Sequence, residues 1–354
     1  MPDNKCQHYV PRCYLKSFGI DPEGLATNLY NIPRSRSVRH AAIRGQCARD
    51  YFYGRDLSLE KILQEVEGQY AAILRKVIGG GSASSADLFF LRWFAVLQYA
   101  RTDMAMRRAQ IMHEGLRDVI HESYRNDMPE IDLSDEAMIR ESMRVGIKLT
   151  KYVEDLKTCL LLNGTATDFI TSDDPSIFTN RLHLQKWNEQ NFSLGSSGAL
   201  IFLPLTPRVA LMCFDGQVYT VPEKDNYAVT LRDVADIATV NELQYLKANS
   251  NLYFQNWGQR VSIQSELPRV ASRRPTTWCR FRVLVPDREI PGGTMWRVAT
   301  DEERRRPREM LITTSSIYPM PSAWLSKLRY RNPIRTFSNG SAAGHVRKKI
   351  WLER

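Results

Sequence analysis

Apolar residues recur at alternating four- and three-residue spacing between Leu57 and Ile78. Leu59, Leu63, Val66, Tyr70, Ile73 and Val77 fall on one stripe, the period of an amphipathic helix. Gly79-Gly80-Gly81 stops it, because glycine ends a helix readily. A second helix is predicted from Asp87 to about Glu122. Its first half is apolar almost all round and belongs in the middle of a core, whereas Arg107, Arg108 and Arg117 make the second half polar. A third helix starts near Ser134, a capping residue, with Asp135 and Glu136 set against the helix dipole, and runs to about Asp155. The period then changes. Leu160 to Leu162, Phe169 to Thr171, Ala199 to Leu203, Val209 to Phe214 and Val218 to Val221 read as strands between turn residues. Thr230, with Asp233 three residues on, opens a helix to about Asn249. Residues 8–56 read as short strands and loops broken by Pro11, Pro22 and Pro33, and the chain beyond Asn251 mixes short strands with irregular stretches. Helices grouped first and strands later predict an α+β fold, with an N-terminal helical bundle portion packed on a mostly antiparallel sheet.

A length of 354 residues suits two domains or one large one, and the boundary is drawn between 1–255, the α+β core, and 256–354. Charge supports that division. The chain carries 49 Lys and Arg against 39 Asp and Glu, a formal +10. From Arg269 onward there are 19 basic and 7 acidic residues, a net of +12, which leaves 30 basic and 32 acidic residues, a net of −2, before it. Aromatic residues are interleaved with this basic region: Trp278, Phe281, Trp296, Trp324, Tyr330, Phe337 and Trp351. Guanidinium groups hold phosphate oxygens and rings stack on bases, so the mixture predicts nucleic acid as a partner of the C-terminal region. The plainer account is a solvated basic surface that docks an acidic protein.

The N-terminus lacks the apolar core of a signal peptide, and no apolar run approaches the roughly 18 residues of a membrane span. Six scattered cysteines form no C-x-x-C pair, which predicts reduced thiols and a cytoplasmic setting. Cys6, His8 and Cys13 match no zinc signature. The usual nucleotide-loop, nucleophile-elbow and zinc-protease motifs do not occur, nor does an acid-x-lysine element after Asp174.

Several polar residues stand where a core would not choose them. His8 lies in a strand-like stretch and could serve as a general base or acid, or could orient the N-terminal segment. Glu67, with Glu60 two turns earlier, sits at the edge of the apolar stripe and needs a partner, an arginine or a metal ion. Gln98, Arg101 and Thr102 share one helical face and could hold a phosphate or clasp two helices. Asp173 and Asp174 end a strand before Pro175, where carboxylates can face a cleft or cap a tight turn. Asn241, on a buried helical face, needs hydrogen-bond partners, and the Ser172–Pro175 loop is the expected source.

The segment Gln7-His8-Tyr9-Val10-Pro11-Arg12-Cys13-Tyr14-Leu15-Lys16-Ser17-Phe18 resembles the opening motif of a mainly bacterial family, domain of unknown function 4238. Val66-Glu67, Phe169 to Pro175, and Leu203-Pro204-Leu205-Thr206-Pro207 follow in the same order, and Asn241 stands where the family also places a polar residue. The similarity spans about residues 7–255, with Cys13 in place of an aromatic residue and Asp174 in place of a frequent asparagine. It implies a fold family and assigns no activity. The functional expectation from the residues is a metal-dependent phosphodiester hydrolase, a nuclease. Glu67, Asp173 and Asp174 would bind magnesium or manganese, and His8 would move the proton. Arg12 and Arg101 would stabilise the phosphate, with Gln98, Thr102 and Asn241 completing the substrate site. The resemblance adds an expected role in bacterial antiviral defence or as a toxin effector. The alternative is a non-enzymatic module that binds nucleic acid or assembles with a protein partner or a second copy of itself.

Overall fold

A computed structural model describes residues 5–120, 130–305, 309–338 and 344–352. The chain opens with β1 (Cys6–His8), a short helix α1 (Arg12–Lys16), β2 (Ala26–Asn31), β3 (Arg36–Ala42) and β4 (Ala48–Asp50). Four helices follow: α2 (Ser58–Ile78), α3 (Ser85–Ala100), α4 (Asp103–Val119) and α5 (Asp135–Leu149). The middle of the chain holds β5 (Lys157–Asn163), β6 (Thr171–Ser172), β7 (Ile177–Asn180), β8 (Ala199–Thr206), β9 (Val209–Phe214), β10 (Tyr219–Thr220) and β11 (Ala228–Leu231). Helix α6 (Val234–Lys247), β12 (Asn251–Phe254) and α7 (Arg260–Val270) come next. The last elements are β13 (Cys279–Ile290), β14 (Gly293–Val298), α8 (Asp301–Arg304), β15 (Leu311–Ser316), β16 (Arg329–Tyr330) and α9 (Lys348–Leu352). The mixture is α+β.

Local chemistry sets the helix ends. Ser84 and Asp87 form a reciprocal capping box at the start of α3, satisfying donors that the first turn leaves free. The helix predicted to run from Asp87 to about Glu122 is instead two. It breaks at Arg101 and Thr102, because the Thr102 hydroxyl accepts from the Ala105 N–H and caps α4. Ser134 caps α5 as expected, and a 3₁₀ turn at Thr150–Val153 replaces its last turn. The helix expected from Thr230 starts at Val234 with Asp233 as its cap, while Thr230 itself lies in β11.

The main sheet has the order β11-β5-β9-β8-β7; β11 runs parallel to β5 and the other pairs are antiparallel. Both faces are covered, so every residue of β8 and β9 is buried, the reason these strands read as continuous apolar runs. Ile201, Leu203, Leu211 and Cys213 pack with Leu91, Phe94 and Ala95 of α3. Leu200, Phe202, Ala210 and Met212 pack with Ile237, Val240 and Leu243 of α6 on the other face. A second, antiparallel sheet has the order β3-β2-β12-β6, and a third the order β14-β13-β15. The third sheet and α7 lie in the stretch expected to mix short strands with irregular segments; the strands are there, and α7 is a helix that was not expected. The C-terminal region reaches back: β16 pairs with β10, and the buried Arg347 guanidinium bonds Asp155 and the Ser196 carbonyl. Among the described residues no helix is long and apolar enough to cross a membrane, and all six cysteines are free.

Candidate functional site

Strand β1 pairs with β4 in the register His8 to Ala48 and delivers His8 to the mouth of a cleft of about 400 Å³. Pro11 then turns the chain into α1 and presents Arg12; a 3₁₀ turn at Ile43–Gly45 brings Arg44. The opposite wall is α2, where Glu60, Gln64 and Glu67 fall four and seven residues apart on one face. Imidazole, two guanidiniums, an amide and two carboxylates thus line one concavity.

Hydrogen bonding fixes the state of His8. Its Nε2 lies 3.1 Å from the Arg44 carbonyl oxygen. A carbonyl only accepts, so Nε2 carries the hydrogen and Nδ1 keeps a free lone pair. Burial, together with the charges of Arg12 and Arg101, brings the imidazole down to about 4, against the pull of the Arg44 carbonyl. His8 is therefore neutral near pH 7. Glu60 is shifted the other way: burial and the neighbouring Glu67 charge raise it.

Arg101 lies directly beneath. It is fully buried, and its Nη2 donates to Glu67 Oε1 at 2.9 Å and to the His8 carbonyl at 2.8 Å, while Nε donates to the Tyr53 hydroxyl at 3.0 Å. Gln98 donates to the Tyr9 carbonyl. These two residues do not share a phosphate-binding helical face with Thr102, because α3 ends between them. They clamp the N-terminal strand and Glu67, and the cleft is built on that clamp.

The aspartate pair does not join the cleft. Both residues are buried and already engaged. The Asp173 carboxylate accepts backbone N–H groups from Asn249 (2.9 Å), Ser250 (2.7 Å) and Asn251 (3.0 Å). Asp174 accepts from Thr102 (3.0 Å) and Arg108 (2.6 Å) and pairs with Lys247 (3.0 Å). Burial lifts Asp173 to about 6 in spite of its three donors. Burial also acts on Asp174, but Arg108 and Lys247 hold it below the usual range, while burial brings Lys247 down to about 7. The expected magnesium or manganese set of Glu67, Asp173 and Asp174 does not fit a cation, since both oxygens of each aspartate take protein donors and neither aspartate lines the cleft that Glu67 lines. Among the described residues no three His, Cys, Asp or Glu side chains are grouped to hold a metal.

Asn241 bonds just before the expected loop, its Oδ1 accepting from the Ile170 N–H and its Nδ2 donating to the Asp168 carbonyl. The loop is held instead by Gln244, which contacts Ser172 and Pro175, and by Lys247. Arg44, Gln64, Arg108 and Lys247 escaped sequence reasoning. A signal existed for Gln64, on the Glu60–Glu67 face, and for Lys247, seven residues after the apolar Val240 on a buried stripe.

No curated protein and no solved structure is significantly similar to this sequence. A family model matches residues 6–257, a stretch that contains His8, Arg12, Glu67 and the Asp173–Asp174 cluster and ends just beyond β12. The chain belongs to the family described as a protein of unknown function, DUF4238.

Proposed function

We propose that the chain is a phosphodiester hydrolase acting on nucleic acid, with the His8 cleft as its active site. The observation that carries this reading is a neutral imidazole of fixed tautomer, set between guanidiniums and a carboxylate wall. His8 Nδ1 takes a proton from water as the water oxygen attacks phosphorus. Glu60, raised and so better able to keep its proton, gives that proton to the leaving oxygen as the P–O bond breaks. Arg12 and Arg44 neutralise the non-bridging oxygens, and Arg101 holds Glu67 in place. A bound phosphate also offsets the cations that depress His8, which makes the imidazole a better base when substrate is present. Helix α2, backed by the helical bundle α2–α5 on the sheet, gives the cleft a rigid wall. A role in bacterial defence or as a toxin effector and a cytoplasmic setting suit such an activity.

The test is turnover of labelled DNA and RNA, with and without Mn²⁺, by the wild type and by His8→Gln. Loss of a general base lowers the rate by about 10²–10⁴-fold, with the melting temperature unchanged. The second reading is a binding or assembly module, favoured by the structural partners that hold Arg101, Asp173 and Asp174. Equal turnover by both proteins, or none by either, supports it.

A further inference from the structure

The sheet β14-β13-β15 lies beyond the family match, and its register sorts the side chains into two faces. On β13, Phe281, Val283 and Val285 alternate with Arg280, Arg282 and Leu284. The first set faces inward. Val283 and Val285 cluster with Ala299 and Val119, and Phe281 presses on Gly115 of α4, where a Cβ would lie 2.3 Å from the Phe281 ring. The second set therefore faces out. Directly opposed residues of an antiparallel pair share a face, which adds Thr313 and Ser315 of β15, opposite Arg282 and Arg280, and Trp296 of β14, opposite Pro286.

Arg280 and Arg282 are exposed, and their guanidiniums make no ion pair or hydrogen bond among the described residues. They stand two strand positions apart, about 6.8 Å, so both charges project from one strand face. Trp296 is half-buried on the same face, and Leu311 and Val298 beside it are exposed. No carboxylate stands on this face at the paired positions from Arg280 to Pro286. We propose that this open sheet face binds single-stranded nucleic acid. The two guanidiniums hold successive phosphates, Trp296 stacks a base, and the Thr313 and Ser315 hydroxyls meet sugar or base edges. Charge complementarity selects an anionic polymer, and the aromatic and hydroxyl groups select one with flat bases over an acidic protein. The inference rests on the reading of the chain as acting on nucleic acid and assigns the polymer a track outside the cleft.

Fluorescence anisotropy of labelled oligouridylate and its DNA counterpart tests it with the full chain. Arg280→Glu/Arg282→Glu weakens binding by about tenfold or more, and the slope of log affinity against log salt becomes shallower by about 1.4, two contacts at roughly 0.7 each. Trp296→Ala independently weakens binding by about fivefold or more. Arg34→Glu/Arg36→Glu, an equal charge change on the β2–β3 hairpin, leaves it within about twofold. Turnover of a small phosphodiester is unchanged in the sheet variants, whereas His8→Gln keeps polymer binding, so failure of the cleft and failure of the sheet are told apart. The proposal is overturned if the wild type does not bind, if the hairpin control loses as much as the sheet variant, or if oligo-aspartate displaces the oligonucleotide as well as unlabelled oligonucleotide does.

Discussion

At the residue scale, two ionisable clusters within one family core do different work. The cleft groups His8 and Glu60 are partly solvated and shifted in opposite senses, the imidazole downward and the carboxyl upward, which favours a neutral base beside an acid that holds its proton more tightly. The Asp174 cluster is closed, and its partners hold three segments together: Thr102 and Arg108 on the helical side, the strand-end loop, and Lys247 of α6. Asp174→Ala leaves Arg108 and Lys247 buried without their counter-charge, and chemical denaturation should show a loss of about 3–5 kcal/mol. Lys247 has a separate pH signature. Its folded pKa of about 7 lies below the usual lysine value of 10.5, so the unfolded chain binds the extra proton between those values. Its contribution is then fully present above pH 10.5 and is lost as pH falls through 7. The melting temperature of the wild type should rise, on this account, between pH 7 and 10, and Lys247→Met should flatten that rise. His8 and Glu67 were legible in the sequence because each stands on an otherwise apolar or strand-like pattern. The doublet at Asp173 and Asp174 misled, since adjacent acids at a strand end look the same whether they face a cleft or close a loop. What distinguishes them is the partner set, supplied from residues 66 to 78 positions away.

At the element scale, the patterns that held were those set by local periodicity. The stripe of α2 and the run of β9 fall within a residue of expectation, because each is decided by burial of its own face. The break between α3 and α4 was hidden, since an N-cap threonine inside an apolar-to-polar transition carries no mark of its own. β13 to β15 lie where short strands mixed with irregular stretches were expected, but their length and pairing were not legible, because Leu284 and Pro286 break the polar side of the alternation that Arg280 and Arg282 begin. Close approaches make sharper predictions. Gly146 of α5 faces Ala100 so nearly that a Cβ would sit 2.3 Å from the alanine methyl. Gly146→Ala should therefore cost about 1–3 kcal/mol, read as a lower denaturation midpoint, with cleft activity per folded molecule unchanged. Gly115→Ala should displace β13 through Phe281 and weaken oligonucleotide binding more than it slows turnover of a small phosphodiester.

At the scale of the whole molecule, the division of charge acquires a structural meaning. The net +12 after residue 268 follows a family core that is close to neutral. Part of that charge is engaged within the molecule, since Arg347 is buried on Asp155 and the exposed Arg273 pairs with Glu242. The remainder includes the exposed pair on β13. Polymer binding should accordingly fall steeply with salt, while turnover of a small phosphodiester in the cleft should depend on salt only weakly. The claim on which the rest depends is that the cleft receives a phosphodiester against a neutral His8. Its most direct test is an NMR titration of the His8 imidazole with and without a non-hydrolysable dinucleotide. The account predicts a midpoint near 4 in the free protein, moving upward toward the ordinary histidine value when the anion binds. A midpoint that starts near the ordinary value, or one that the dinucleotide leaves unmoved, would contradict it.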